Sequence, residues 1–179
     1  MLEPSQSILV LVDVQGKLAQ SMVLKEQLLE NLKRMIQGAQ ILELPILWVE
    51  QNPRGLGPTL PEIAALLPGM QPLSKFCFGG CDCNEFMDAL AASGRRQVLL
   101  VGIETHVCIY QTALQLVQRG YHVEVVADAV SSRSAENRQI GLDRMRAAGV
   151  AVTSTEMALF ELLQVAQGPR FKAILNLVR

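Results

Sequence analysis

Three residues with complementary chemistry stand at or just beyond apolar stretches of this sequence. Asp13 follows the apolar run of residues 8–12, Lys75 closes a short extended stretch, and Cys108 comes soon after the apolar run that ends at Ile103. A carboxylate can accept a proton, an ammonium can stabilise an anion, and a thiol becomes a strong nucleophile once it ionises. Brought together by a fold, these side chains would form a cysteine nucleophile with its base and its cation.

Each of the three residues has an ordinary alternative role. A single Cys in an amphipathic helix is more often a small core residue. An Asp at the end of a strand often caps a neighbouring helix, and a Lys is usually solvated. The catalytic hypothesis for Asp13, Lys75 and Cys108 therefore depends on the elements that position them.

Apolar runs typical of buried strands alternate with helical patterns along the chain. Strands are predicted over residues 7–13, 45–50, 72–75, 97–103, 122–128 and 150–154, and helices over residues 25–44, 62–67, 84–92, 106–119 and 135–148, followed by helical C-terminal segments. This alternation predicts right-handed crossovers and a parallel sheet that is covered on both faces. The predicted fold is α/β, a three-layer Rossmann-like sandwich with six parallel strands in the order 3-2-1-4-5-6, and residues 1–179 are expected to form a single domain.

In such a sheet, ligands bind beyond the carboxyl ends of the strands, where the strand order reverses between strands one and four. Asp13 ends the first strand, and Cys108 lies in the opening turn of the helix after the fourth. We expect the helix dipole and Lys75 to lower the pKa of Cys108, and burial to raise the pKa of Asp13 so that it accepts the thiol proton. The backbone N–H groups of Glu104 and Cys108 are candidates for binding an oxyanion.

Composition narrows the class of protein. The 179 residues are 50% apolar and 18% charged, with a formal net charge of -1 and no basic stripe, so we expect no nucleic-acid partner. No apolar run approaches the roughly 20 residues of a membrane span, so we expect no membrane partner. The mean hydropathy of +0.25 is high for a soluble monomer. We therefore expect a homo-oligomer, a dimer or larger, that acts on a small molecule.

The N-terminus and the cysteines point to a reducing compartment. The first residues lack the basic region of a secretory signal, so a cytoplasmic location with reduced thiols is expected. Three of the four cysteines cluster at Cys77, Cys81 and Cys83. A structural zinc site needs four ligands, and the sequence has no second pair of ligands to complete one, so no metal is predicted there. These thiols are interpreted as loop residues near the pocket mouth, and a thiol redox sensor remains an alternative function.

Three segments together resemble the isochorismatase-like cysteine hydrolase superfamily, which includes nicotinamidases and N-carbamoylsarcosine amidohydrolases. They are LVDVQ at residues 11–15, SKF at residues 74–76 and VGIETHVC at residues 101–108. The similarity runs in the same order from the first strand to about residue 163.

The resemblance implies roles for individual residues. It implies a catalytic triad of Asp13, Lys75 and Cys108. It also implies a non-proline cis peptide between Ile103 and Glu104, which turns the Glu104 amide toward the oxyanion beside the Cys108 amide. The implied chemistry is hydrolysis through a cysteine thioester.

One segment departs from the nicotinamidase pattern. Nicotinamidases carry metal-binding histidines after the second strand, whereas residues 50–57 read EQNPRGLG here and the only histidines are His106 and His122. Zinc and nicotinamidase activity are therefore disfavoured, and no cofactor is predicted. The segment resembles less characterised isochorismatase-domain proteins, whose substrates are mostly unassigned.

We therefore expect a hydrolase that cleaves a small amide-, carbamoyl- or ester-type substrate, acting chiefly on carbon–nitrogen bonds other than peptide bonds. Further candidates for substrate contact are Gln15, Gln51, Phe76, Phe78, Thr105 and His106. For the two Phe residues and for Gln51, a purely structural role is the alternative. A catalytically silent scaffold or interaction protein on the same fold is the main rival function.

Overall fold

The apolar runs form six strands of one parallel sheet in the computed structural model, which describes all 179 residues. The strands are β1 (Ser7–Val12), β2 (Ile46–Gln51), β3 (Leu73–Lys75), β4 (Gln97–Ile103), β5 (His122–Ser131) and β6 (Ala151–Thr153). Their order is β3-β2-β1-β4-β5-β6 and every neighbouring pair is parallel. The predicted sheet topology is confirmed.

Helices cover both faces of the sheet. They are α1 (Gly16–Gln20), α2 (Lys25–Ile41), α3 (Pro53–Leu56), α4 (Pro61–Ala64), α5 (Asn84–Ala92), α6 (Tyr110–Gln118), α7 (Ala135–Ala147), α8 (Thr155–Leu163) and α9 (Gly168–Val178). One apolar core lies between the sheet and the group α2, α8 and α9, and a second lies between the sheet and the group α5, α6 and α7. This arrangement is the predicted three-layer sandwich. None of these helices combines the length and apolar character needed to cross a bilayer.

Strand β1 shows why the apolar runs are continuous. Leu9 and Leu11 pack into the first core, whereas Ile8, Val10 and Val12 pack into the second. Alternate side chains of a strand point to opposite faces, so a strand buried on both faces needs apolar residues throughout. The first polar side chain after this run, that of Asp13, is thereby placed at the carboxyl edge of the sheet.

The backbone at the point where the strand order reverses is unusually close-packed. Gly102 has a φ of +118°, and a Cβ there would lie 2.1 Å from the carbonyl oxygen of Val12 on β1. Asp13 itself adopts a left-handed φ of 55°. Because Gly102 has no Cβ, β4 can approach β1 this closely. The segment that follows β4, residues 104–108, is thereby brought next to Asp13.

Several elements differ from the predictions: the short helices α1 and α3 were not predicted, and α2 ends at Ile41 instead of residue 44. Two further differences lie next to the site. The helix expected from residue 106 begins with a π-helical turn, Thr105–Ile109, because the N–H groups of Val107 and Ile109 both donate to the Glu104 carbonyl. Strand β5 continues to Ser131, beyond the predicted end at residue 128, and its register with β4 shifts between Leu100 and Gly102. The irregular pairing extends β5 toward the carboxyl edge of the sheet, where Asp13 lies.

Candidate active site

Lys75 is the most deeply buried charged side chain at this edge. It ends β3 with 2% of its surface exposed, and its Nζ donates to Asp13 Oδ2 and to Gln51 Oε1, each at 2.7 Å. Two further acceptors are the carbonyl oxygens of Cys77 at 3.2 Å and Phe78 at 3.3 Å. An ammonium has three N–H donors, so these acceptors engage all of them. Lys75 therefore supplies a fixed positive charge and has no proton free for a ligand.

Asp13 has one engaged carboxylate oxygen and one free one. Oδ2 accepts the hydrogen bond from Lys75, whereas Oδ1 is buried and has no hydrogen-bond partner. Burial raises the pKa of the Asp13 carboxyl, while the Lys75 ammonium and the Cys108 thiol act in the opposite direction. A buried acceptor with a raised proton affinity and an unoccupied oxygen has the properties of a general base.

Cys108 lies in the π-helical turn and is 7% exposed. Burial, and then the charge of the Asp13 carboxylate, raise the pKa of its thiol to about 12, and the charge of Lys75 opposes both. Our expectation that this pKa is lowered was therefore wrong. The charge of Lys75 is directed to Asp13, and Cys108 precedes α6 instead of standing at the N-terminus of a regular α-helix. Cys108 is therefore a neutral thiol at pH 7, and it lies beside the Asp13 carboxyl group.

Glu104 is fixed at both its carbonyl and its side chain. The peptide bond between Ile103 and Glu104 is cis. The Glu104 carbonyl accepts from the first residues of the π-helical turn, and its Oε1 accepts from the N–H and the Nε of Arg133, each at 3.1 Å. The Glu104 amide N–H donates to no backbone carbonyl. This donor is available for an oxyanion at the position where the resemblance implied one.

A cavity of about 80 Å³ connects these groups. Its lining residues are Asp13, Leu18, Gln51, Leu56, Phe78, Ile103, Glu104, Val107 and Cys108. A larger cavity of about 530 Å³ lies beside the α8–α9 connection, where Arg170 is the only charged lining residue. The smaller cavity alone combines a thiol, a free carboxylate oxygen and a free amide, so it is the candidate active site.

The predicted substrate-contact residues divide into two groups. Gln51 and Phe78 line the cavity, whereas Phe76 is 75% exposed and does not. The Gln15 side chain is buried and holds the neighbouring loop, because its Nε2 donates to the carbonyls of Gln51 and Gly57 at 3.0 and 2.7 Å. Gln15 therefore shapes the site without facing the cavity.

Thr105 and His106 also lie outside the cavity lining. Thr105 is fully buried and its hydroxyl has no hydrogen-bond partner. The Nδ1 of His106 lies 3.0 Å from the hydroxyl of Ser132. These two residues belong to the support of the π-helical turn.

The remaining cysteines lie outside the cavity lining, and the prediction that all three are loop thiols near its mouth was wrong for two of them. Cys81 and Cys83 are buried in the core under α5 and α6, and Cys77 is half-buried. Burial raises the pKa of Cys81 to about 11 and also raises the pKa of Cys83. No three His, Cys, Asp or Glu side chains are grouped so that they could hold a metal ion.

Sequence reasoning missed several residues of the site. Leu18, Leu56 and Val107 line the cavity, and Arg133 holds Glu104. Arg133 follows the carboxyl end of β5, the neighbour of β4, so the strand-end rule would have indicated it had β5 been extended to Ser131. The apolar lining residues carry no comparable signal, since they are indistinguishable from core residues.

Comparison with known proteins gives matches along nearly the whole chain. Isochorismatase domain-containing protein 2A from Mus musculus is 41% identical over 176 residues, which cover 98% of this chain and 84% of the mouse protein. A structure described as MAR1 ribonuclease from Caenorhabditis elegans has a TM-score of 0.92 and 35% identity, covering 99% of this chain and 91% of that one. The YcaC gene product from Escherichia coli, described as an octameric hydrolase of unknown specificity, has a TM-score of 0.92 and 25% identity, covering 98% and 88%.

Residues 7–157 match the family described as the isochorismatase domain. This match includes Asp13, Lys75, Glu104 and Cys108, and the family suggests a hydrolase. The chain therefore belongs to the isochorismatase domain family.

Proposed function

We propose that this chain is a cysteine hydrolase that cleaves small amide-, carbamoyl- or ester-type substrates through a thioester on Cys108. The observation that carries the proposal is the buried, unoccupied Oδ1 of Asp13 in the cavity that contains the Cys108 thiol. A structural carboxylate would be expected to have both oxygens engaged, because a buried acceptor without a partner is costly.

In the first half of the reaction, Asp13 takes the thiol proton as the sulfur of Cys108 attacks the substrate carbonyl. Since burial raises the pKa of this thiol to about 12, proton transfer accompanies the attack instead of preceding it. The new C–S bond converts the carbonyl oxygen to an oxyanion, which the amides of Glu104 and Cys108 bind. Protonated Asp13 then gives its proton to the leaving amine or alcohol, and the C–N or C–O bond breaks to leave the thioester.

In the second half, Asp13 takes a proton from water, which attacks the thioester carbonyl. The C–S bond breaks, the carboxylic acid is released, and the proton on Asp13 returns to the sulfur. Lys75 takes no part in proton transfer because its N–H groups are engaged by protein acceptors. Its role is to favour the ionised form of Asp13 and to orient it.

RNA cleavage is the second candidate, because the C. elegans neighbour is described as a ribonuclease. The charges of this chain favour a small-molecule substrate, since its formal net charge is -1 and no Lys or Arg lines the cavity. A redox sensor is disfavoured because the raised pKa values of Cys81 and Cys83 lower their thiolate content. A silent scaffold would not need the free carboxylate oxygen beside Cys108.

We also propose that the chain forms a homo-oligomer. Large apolar side chains are exposed at Leu24, Phe76, Phe78, Ile140 and Met157. The E. coli neighbour is described as octameric, which supports self-association in this fold. Light scattering after gel filtration should give a mass above the 19.6 kDa of one chain. The cytoplasmic location stays a prediction.

The test is a screen of small amides, carbamoyl compounds, esters and a short RNA, with ammonia, acid or cleaved RNA as the readout. Purified wild-type protein and its Cys108→Ala variant are compared at equal concentration. The proposal predicts turnover of at least one carbonyl substrate by the wild type and none by Cys108→Ala, which should keep the wild-type circular dichroism spectrum. Turnover that persists in Cys108→Ala, or cleavage of RNA alone, would refute the proposal.

A further inference from the structure

The geometry points to a substrate class: we infer that the site takes carbonyl substrates whose acyl group is short, apolar and uncharged, and rejects acyl groups that carry a carboxylate. This inference rests on the proposed function. It follows from the walls of the cavity, from the hydrogen bonds already made by its polar residues, and from the sign of its charges.

The walls away from the nucleophile are apolar. Leu18, Leu56, Phe78, Ile103 and Val107 contribute most of the lining, and the cavity is only about 80 Å³. Apolar walls favour methyl and methylene groups, because these lose little when water is removed, whereas a buried polar group needs a hydrogen-bond partner. Such a space fits a short aliphatic acyl chain.

The polar groups of the cavity are occupied. Gln51 accepts from Lys75 through Oε1 and donates to the carbonyl of Phe76 through Nε2, so both ends of its amide are engaged. The Glu104 carboxylate is bonded to Arg133. What remains free is Asp13 Oδ1 and the Glu104 amide, which the chemistry itself uses. No donor or acceptor is left to recognise a polar acyl group.

The charges of the cavity oppose an anion. Its acidic lining residues, Asp13 and Glu104, both carry carboxyl groups, and no Lys or Arg lines it. The buried Lys75 has no free N–H, and the Arg133 guanidinium lies outside the lining and is directed to Glu104. A substrate carboxylate would therefore be desolvated beside like charges with no cation to bind it.

The experiment compares two activated esters that differ in one group. The probes are p-nitrophenyl butyrate and mono-p-nitrophenyl succinate, in which the terminal methyl of the acyl chain is replaced by a carboxylate. Acylation of Cys108 is followed by intact mass and peptide mapping in the full-length protein. The expected result is faster acylation by the butyrate ester, by at least about 100-fold, since a buried unpaired charge is strongly disfavoured.

A charge-introducing variant sharpens the comparison. Leu56→Arg places a cation in the lining and should raise the rate with the succinate ester relative to the butyrate ester. The matched control Ala148→Arg, at an exposed position outside the cavity, should leave the ratio unchanged.

The outcomes separate this inference from the proposed function. Equal or faster acylation of Cys108 by the succinate ester overturns the substrate class and leaves the cysteine mechanism standing. If neither ester acylates Cys108, the proposed function is overturned, and the substrate class with it.

Discussion

Two thiols in the same apolar core, Cys108 and Cys81, are equally buried and differ in their neighbours. Each is 7% exposed, and burial raises the pKa of Cys81 to about 11 and that of Cys108 to about 12. Cys108 faces a cavity that it shares with Asp13, whereas Cys81 lies under α5 and its backbone N–H is bonded to Gln115. Neither thiol is activated by its own acidity. In the proposed mechanism, the nucleophile is therefore defined by the carboxyl group beside it, which acts as its base.

The largest effect is expected from removing that base. Asp13→Asn should lower kcat/KM by at least about 1000-fold, because the amide cannot accept the thiol proton. The variant should also lose about 3–5 kcal/mol of stability, since it leaves the buried Lys75 ammonium without its partner. Denaturant unfolding and steady-state kinetics measure the two effects.

A double variant separates the two effects of Asp13→Asn. In Asp13→Asn with Lys75→Met, the unpaired cation is gone, so stability should recover while activity should not. Recovery of activity together with stability would show that Asp13 is a structural residue.

A smaller effect is expected from removing the cation alone. Lys75→Met should lower kcat/KM at pH 7 by about 100-fold, because the pKa of Asp13, already raised by burial, rises further without Lys75. An ionised base is required, so activity is lost as pH falls, and the acid limb of the pH profile should move to higher pH. Activity of the variant should therefore recover partly as pH rises.

The stability of Lys75→Met provides an independent check that the pKa of Asp13 rises when Lys75 is removed. A carboxyl whose pKa is raised in the folded state stabilises the fold at low pH, and this stability is lost as pH rises. The Tm of the variant should therefore fall between pH 5 and pH 9 relative to wild type. Lys33→Met, which removes a surface pair with Glu62, is the matched control and should shift neither profile. If the acid limb of the pH–activity profile does not move in Lys75→Met, the proposed role of Lys75 is contradicted.

A modest effect is expected at Arg133. Arg133→Ala removes one of the hydrogen bonds that hold Glu104, and should lower kcat by about tenfold with little change in KM, because the oxyanion donor is less well positioned. Arg133 is 63% exposed, so the loss of stability should stay below about 1 kcal/mol. The control is Arg146→Ala, which removes an exposed pair with Asp143. A change in KM alone would contradict the positioning role.

The smallest effect is expected at the second thiol of the comparison. Cys81→Ala should leave kcat/KM unchanged, since Cys81 neither lines the cavity nor has a free carboxylate beside it. Kinetics on the same substrate as used for Cys108→Ala measure this. A large loss of turnover in a folded Cys81→Ala variant would mean that the two thiols act together.

The sheet and the convergence of the three side chains were predictable because they follow from local patterns. The apolar run that becomes β1 needs burial on both faces, which places Asp13 at the carboxyl edge, and the same rule applies to β4 and the segment before Cys108. The predicted strand order makes β1 and β4 neighbours, so their carboxyl ends lie side by side.

The details of the site depend on long-range contacts that no local pattern encodes. The pKa of Cys108 reflects burial and the charge of Asp13, a residue 95 positions away in the sequence. The bond from Arg133 to Glu104 spans 29 positions and depends on the irregular end of β5. Leu56 lines the cavity next to Gly57, whose carbonyl accepts from Gln15, and the sequence predicted a substrate contact for Gln15 instead of this structural role.

The most direct measurement is the site of acylation among the four cysteines, read by peptide mapping after brief exposure to p-nitrophenyl butyrate. The account predicts that Cys108 alone is acylated in the wild-type protein and that Asp13→Asn with Lys75→Met loses this labelling. Labelling of Cys77, Cys81 or Cys83 in preference to Cys108, or equal labelling of Cys108 with and without Asp13, would contradict the claim that the carboxylate makes this thiol the nucleophile.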